Sequence, residues 1–476
     1  MQQFAQQEPD PSPDELSKLN GPQHIDLHAL TKELVFNPSI VRSINLVIYA
    51  LARQLEAQIT TAMLSTEEFA KALDDPSTQK TGCQHGDLEI LPSRGNAYFF
   101  SDCEGSYRSL IRFLINNKII EKLELASTTD PVHLVFLGDS IDRSVTSLPF
   151  MELLFKLKMQ FPDQIHIMSG NHELSSAGQM SREGFYLEIQ NAKLSVGIEE
   201  WRELRRMPFF LEYFRGAESS DGLVWASSAA KRAMLCQQYI RAFHNGRTML
   251  DKETTNLGIH IHREGSEKEK DFSSGLSDHQ VEIRNIREKI AKTFLWDLYQ
   301  VFFSGQAKTL VSNNIFASHG LMPTTGVFDS ENLSSKKSSV TELLLNLSRT
   351  YQLPEEERLE RIEDIVWSDL DLTKPEDNLP RVEFNDTRDA GKIVNQAAVE
   401  QFLSAVGRKI FIRGHQILGV GGYEMSGPIH TIQSSARGGG SCLRVSLDAN
   451  QSAPEIERFD FIDLSKGLVV DEDSQE

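Results

Sequence analysis

A chain of 476 residues that is 39% hydrophobic and 25% charged can bury a large core and reads as globular, with more than one domain or a large insertion. Its formal net charge of −19 excludes a general nucleic-acid binder, which needs a basic footprint. Its most apolar window, residues 43–52, is too short to span a bilayer, which takes roughly 20 apolar residues, so no stable membrane insertion is expected.

The N-terminus, MQQFAQQEPDPSPDE, has neither a basic start nor an apolar stretch and reads as no secretory signal. Residues 1–24 are rich in Gln, Pro, Asp and Ser, a composition expected to stay disordered. Asn37-Pro38 then supplies a helix cap, and Ile40, Ile44, Ile48, Leu51, Leu55 and Ile59 recur at helical spacing. Ser65 with Glu68 three residues on predicts a capping box. Cys83, Cys103, Cys236 and Cys442 form no CxxC pair, which points to a reducing compartment and a cytoplasmic location.

From Asn96 onward strands and helices alternate. AYFFS (97–101) is strand-like and ends in Asp102-Cys103-Glu104-Gly105; residues 107–123 are helix-like. VHLVFL (132–137) is a second strand, closed by Gly138 and followed by Asp139, Asp142 and Arg143. Residues 147–159 read as a helix, and 164–168 as a third strand ending in Ser169-Gly170-Asn171-His172-Glu173. This βαβαβ alternation predicts a parallel sheet with right-handed crossovers, so all three polar clusters fall on one sheet edge. Open α/β sheets place their chemistry there.

Residues 177–306 differ. They are charged and helix-like, with Leu235, Tyr239 and Phe243, and Ile286, Ile290, Phe294 and Leu298, at spacing four. Strand-like sequence returns at 315–318 before His319-Gly320. IVWSD (365–369), NDTR (385–388), KIFIR (409–413) before Gly414-His415, and strands at 429–433 and 443–447 follow. The chain closes on acidic residues, Asp471, Glu472, Asp473 and Glu476. The domains expected are a helical extension (1–95), a core (96–176 and 307–465), a helical insertion (177–306) and an acidic tail (466–476).

Asp102, Glu104, Asp139, Asn171, His319 and His415 close these strands, with His172, Arg143 and Arg388 beside them. Carboxylates, an amide and imidazoles suit two divalent cations such as Mn²⁺, Fe or Zn²⁺. A metal pair roughly 3.5–4 Å apart can share a carboxylate and a hydroxide that attacks phosphorus. His172 is of the type that protonates a leaving oxygen, and the arginines are of the type that holds phosphoryl oxygens.

GDSIDR, SGNHE, ASHG, VWSD and RGHQ, in this order, resemble the phosphoprotein phosphatase branch of the calcineurin-like metallophosphoesterases. The resemblance implies a four-layer α/β metallophosphatase sandwich and hydrolysis of phosphate monoesters on phosphotyrosine or phosphoserine/threonine. It implies that Asp102 and Glu104 bind a first metal, Asp139 bridges, and Asn171, His319 and His415 bind a second. Asp142 would orient His172 as the general acid. Arg143, Asn171 and Arg388 would hold the phosphate, with Glu173 and Asp369 in support. Glu104 stands where the family carries a histidine, which bears on metal preference. Ser144 replaces a glycine, and Ser434-Ser435-Ala436-Arg437-Gly438 replaces a segment that normally holds a tyrosine. These departures and the long interval between His172 and His319 resemble the phosphatases that intracellular bacteria inject into host cells, the WipA and WipB type. The acidic tail would then be a translocation signal and 177–306 a protein-recognition element. Other readings of the same core are a nucleotide or dinucleotide hydrolase and an inactive phosphoprotein-binding module.

Overall fold

The computed structural model describes residues 65–74, 83–125, 131–141, 147–174, 299, 302–303, 305–324, 339–371, 379–418, 421–435, 440–448 and 454–460. The helix expected near residues 37–59, nearly all of the 177–306 stretch, Asp142, Arg143, Arg437 and the acidic tail lie outside them. In chain order the elements are α1 (Thr66–Asp74), β1 (Cys83–His85), β2 (Leu88–Ile90), β3 (Asn96–Phe100), α2 (Tyr107–Asn116), α3 (Ile119–Glu124), β4 (Val132–Phe136), α4 (Ser147–Gln160) and β5 (Ile165–Ile167). Then come β6 (Thr309–Val311), β7 (Ile315–Ser318), α5 (Val340–Ser348), α6 (Glu355–Trp367), β8 (Asp369–Asp371), β9 (Val382–Phe384) and β10 (Lys392–Asn395). The last are α7 (Gln396–Ala405), β11 (Ile410–Arg413), β12 (Tyr423–Ser426), β13 (Ile429–Ile432), β14 (Ser441–Ser446) and β15 (Ile456–Asp460).

Two sheets form the inner layers. A five-stranded sheet runs β15-β14-β3-β4-β5, and a seven-stranded sheet runs β1-β2-β6-β7-β11-β13-β12. β3, β4 and β5 are parallel, as the alternation predicts. The period of two along each strand divides its side chains between two apolar layers. Phe99, Val135 and Leu137 of one sheet meet Ile315, Ala317, Ile410 and Ile412 of the other. The alternate residues face outward. Tyr98 and Phe100 meet Phe113 of α2 edge-on, and Phe136 meets Phe150 of α4. On the far side Phe316 and Phe411 share a cluster with Phe69 of α1, Leu344 of α5 and Phe402 of α7. The order helix, sheet, sheet, helix is the expected four-layer α/β sandwich. A short third sheet, β8-β10-β9, flanks it.

Local chemistry explains several boundaries. Ser65 and Glu68 make the reciprocal hydrogen bonds of a capping box at α1, and Ser339 with Glu342 does so at α5. The helix expected over 107–123 is two helices, because Lys118 takes a left-handed φ of 50° between α2 and α3. In the IVWSD motif Ile365, Val366 and Trp367 end α6, whose acidic first turn follows Pro354, and only Asp369 begins a strand. A buried apolar triplet at a helix end looks like a strand without its tertiary context. The seven-stranded sheet also reaches back to Cys83, through strands too short to leave a periodic pattern. Phe302 packs against Phe155 of α4, so the chain lies against the core already before residue 306.

Candidate active site

The parallel strands end on one edge, and their next residues turn sharply. Asp102 follows β3, Asp139 follows β4, and the Asn171-His172-Glu173 turn follows β5. His319 and His415 follow β7 and β11, a parallel pair in the other sheet. The described residues include six non-glycine positions with positive φ, and four are expected ligands: Asp102, Glu104, Asp139 and His415. A left-handed residue costs roughly 1–2 kcal/mol, less for Asp, and such strain gathers at functional sites.

Glycines make the close approach of these turns possible. A Cβ on Gly414 would lie 1.8 Å from Ser101 Oγ and 2.3 Å from Asp102 Oδ2. One on Gly138 would lie 2.3 Å from the Gly170 nitrogen. With those contacts allowed, backbone hydrogen bonds lock the edge. Asp102 N–H donates to Gly138 O, Glu104 N–H to Asp139 O, and His415 N–H to Asp102 Oδ2 at 2.8 Å. Glu173 is fully buried and accepts from the Asp139, Ser140 and Gly170 N–H groups at 2.7–2.8 Å. It holds the Asp139 turn against the Gly170 turn, as a supporting residue should.

At the centre four donor atoms converge. His319 Nε2 lies 2.9 Å from Asn171 Oδ1, 3.3 Å from Asp139 Oδ2 and 3.3 Å from His415 Nδ1. His415 Nδ1 lies 3.0 Å from Asn171 Oδ1. His172 Nε2 stands 3.6 Å from Asp139 Oδ2, and its backbone N–H donates to Asp139 Oδ1 at 3.0 Å. Among the described residues Asp139, His319 and His415 form a buried cluster with ligand atoms within 4.8 Å of one another. Two imidazole nitrogens, a carboxylate oxygen and an amide oxygen this close aim more lone pairs at one point than protons can satisfy. That donor set fits a divalent cation.

Burial and charge act together here. Burial pushes the Asp139 carboxyl up, but the imidazoles of His172, His319 and His415 more than reverse this and hold it below the usual carboxylate range. Burial, with Asp139 beside it, raises Asp102 to about 6 and Glu173 to about 7. Burial and the neighbouring His319 keep His415 well below the usual imidazole range.

Of the expected site residues, the structure gathers Asp139, Asn171, His172, His319 and His415 at the centre. Asp102 abuts them through the His415 backbone. Glu104 is buried on the adjoining turn, outside the compact cluster. Arg388 reaches the same edge through a bidentate pair with Asp369, at 2.5 and 3.2 Å, and Asp369 Oδ1 lies 3.9 Å from His415 Nε2. Sequence reading gave no site role to Ser101, whose hydroxyl donates to Asp102 at 2.8 Å, and marked Ser434, whose N–H donates to Ser101 O, only as part of a segment that departs from the family. Neither carries a signal of its own, because a serine beside a ligand is commonplace. Arg413, inside the RGHQ motif, is fully buried and was legible only as part of that motif.

Comparison with known proteins gives partial matches. The family model described as calcineurin-like phosphoesterase matches residues 83–258. A probable serine/threonine-protein phosphatase of Encephalitozoon cuniculi is 34% identical over 109 residues, 23% of this chain and 21% of that protein. The serine/threonine-protein phosphatase 6 catalytic subunit of Caenorhabditis elegans is 34% identical over 83 residues, 17% of this chain and 24% of that protein. The matched stretch thus spans about a quarter or less of these relatives. A serine/threonine phosphatase structure from Saccharomyces cerevisiae aligns over 84% of this chain and 91% of its own, at 13% identity and a TM-score of 0.40. No helix among the described residues is long and apolar enough to cross a membrane. Residues 83–258 are thus similar to calcineurin-like phosphoesterases, and short stretches of the chain to serine/threonine-protein phosphatases, while Asp139, His319 and His415 form a candidate metal-binding triad.

Proposed function

We propose that the protein is a metal-dependent phosphoprotein phosphatase, hydrolysing phosphate monoesters of phosphotyrosine or phosphoserine/threonine. The convergence of Asp139, Asn171, His319 and His415 carries this reading. Asp139, Asn171, His319 and His415 would hold one divalent ion, and Asp102, Glu104 and the shared Asp139 a second, with Mn²⁺ favoured by the oxygen-rich half. Such ions lower the pKa of water and neutralise phosphoryl charge when bound. The protein's own groups do the rest. Water adds to phosphorus as the ester P–O bond breaks, and His172 gives its Nε2 proton to the leaving oxygen. Its Nε2 stands beside Asp139, and Asp142 would fix its orientation. Arg388, pre-oriented by Asp369, directs its remaining N–H groups at phosphoryl oxygens together with Arg143 and Asn171.

The 177–306 stretch leaves the core just after Glu173 and returns shortly before His319, so it is anchored at the site edge and is our candidate for protein recognition. A cytoplasmic location, or the host cell if the chain is an injected effector, belongs to the same reading and rests on sequence alone. A panel of phosphopeptides, p-nitrophenyl phosphate and nucleotides, assayed with Mn²⁺ and after chelation, tests it. Turnover of phosphopeptides that needs the metal is expected. Equal turnover in enzyme shown to be metal-free, or a preference for nucleotides, would overturn it.

A further inference from the structure

His319, Asp369 and His415 sit on three separate turns, after β7, α6 and β11, and something must hold these in register. Arg413, the last residue of β11, touches all three. It is fully buried. Its Nε–H donates to Gly320 O at 2.7 Å, next to His319. Its Nη2–H donates to Ser368 O at 3.0 Å, next to Asp369. Its Nη1–H donates to the side-chain oxygen of Gln416, next to His415. Gln416 extends the tie: its oxygen accepts from Leu370 N–H at 3.2 Å, and its Nε2–H donates to Leu370 O at 2.9 Å. No carboxylate hydrogen-bonds this guanidinium among the described residues; its acceptors are two carbonyls and an amide. A buried cation is costly unless its geometry is fully satisfied, so it serves as a structural staple with a specific shape. Only the planar fork of Arg can reach three diverging acceptors; a lysine would keep the charge and lose the fork.

We infer that Arg413, with Gln416, is the positioning residue that couples the phosphate-holding pair Asp369–Arg388 to the imidazole pair His319–His415. It touches neither substrate nor metal; it sets the distance between the groups that do. The inference rests on the phosphatase reading of the site and goes beyond it by making one side chain responsible for the registry of both halves.

The test compares wild type, Arg413→Lys, Gln416→Ala, Arg388→Lys and the double variant Arg413→Lys/Arg388→Lys. Far-ultraviolet circular dichroism and thermal melts report the fold. Mn²⁺ titration by calorimetry reports the imidazole half. Inhibition by inorganic phosphate, and KM against kcat for p-nitrophenyl phosphate, report the phosphate-holding half. Supporting residues of metal sites typically contribute about 10–100-fold in affinity. Arg413→Lys should therefore weaken both Mn²⁺ and phosphate binding about 10-fold in folded protein, and Gln416→Ala should weaken both less. In the double variant the loss of phosphate affinity should fall short of the product of the single losses, because Arg388 is already misplaced. If Arg413→Lys fails to fold, Gln416→Ala decides by the same two titrations. Folded variants with wild-type Mn²⁺ and phosphate affinities and only a lowered melting temperature would overturn the positioning role while leaving the phosphatase reading intact. Wild type that neither binds Mn²⁺ nor hydrolyses any phosphate monoester would overturn both.

Discussion

The two inner sheets contribute opposite chemistry to one edge. The five-stranded sheet brings mainly acid and amide: Asp102, Glu104, Asp139, Asn171 and Glu173 all follow β3, β4 or β5, with one imidazole, His172, among them. The seven-stranded sheet brings imidazole: His319 and His415 follow β7 and β11. The acidic half is built locally, from adjacent parallel strands with turns pinned by Glu173. The imidazole half is tied within its own sheet by Arg413, and it is also positioned by bonds that cross between the sheets. The His319–Asp139 contact and the His415 N–H bond to Asp102 are examples. The site therefore exists only where the sheets are correctly packed, so its integrity reports on their docking. A second polar link crosses between the same sheets within the strands themselves. His133 on β4 contacts His166 on β5 at 3.1 Å, and His166 contacts Glu89 on β2 of the other sheet at 2.6 Å. One crossing is suited to metal chemistry; the other is a buried chain of side chains with no metal-like cluster.

Asp139 sits on the boundary between the halves, so its loss should break the comparison most severely. Asp139→Asn should lower kcat for p-nitrophenyl phosphate by at least about 10²-fold, the scale of losing one well-placed polar group in an active site. Calorimetry should show weakened Mn²⁺ binding, with an unchanged circular dichroism spectrum. Wild-type turnover in this variant would mean that the halves do not share a ligand.

His172→Asn should separate leaving groups. A seryl or alkyl phosphate needs a proton on its departing oxygen and should slow by about 10²-fold or more. The p-nitrophenyl ester, with its acidic leaving group, should slow much less. Equal losses on both would reduce His172 to a phosphate-positioning role.

Glu104 sharpens the acidic half. Replacing it with Ala should weaken one Mn²⁺ equivalent by about 10-fold, and replacing it with His should shift preference from Mn²⁺ toward Zn²⁺, since imidazole is the softer donor. Unchanged stoichiometry, affinity and rate in Glu104→Ala would remove it from the ligand set.

The remote crossing should affect stability and leave turnover at neutral pH nearly unchanged. Burial, with His166 beside it, holds the His133 imidazole down at about 3. An unfolded histidine titrates near about 6.5, so the unfolded chain binds the extra proton first as pH falls. The contribution is therefore fully present above about 6.5 and is lost as pH drops toward 3, on the order of a few kcal/mol. Urea unfolding between pH 7 and 4 should show a shallower pH slope for His133→Gln than for wild type. Parallel slopes would show that His133 is not held neutral between the sheets.

Much of the acidic half was legible in the sequence, because strand-forming runs closed by glycine and followed by Asp or Asn need only local reading. Residues 97–101, 132–137 and 164–168 resemble β3, β4 and β5 closely, and parallel topology follows from the helices between them. His319 and His415 were legible as strand-end residues within ordered motifs. Their meeting within 3.3 Å was not, since nothing in the spacing of ASHG and RGHQ says which strands pair. Tertiary structure alone decided that β7 and β11 are neighbours, that IVW ends a helix, and that β1 and β2 join the seven-stranded sheet. It alone decided the work of Arg413, whose three acceptors are brought together by sheet packing. The physical reason is common to all of these. Periodicity and turn chemistry act over a few residues and are written in the chain, whereas close approach between distant turns depends on how two apolar faces pack. That packing is specified by the whole core together.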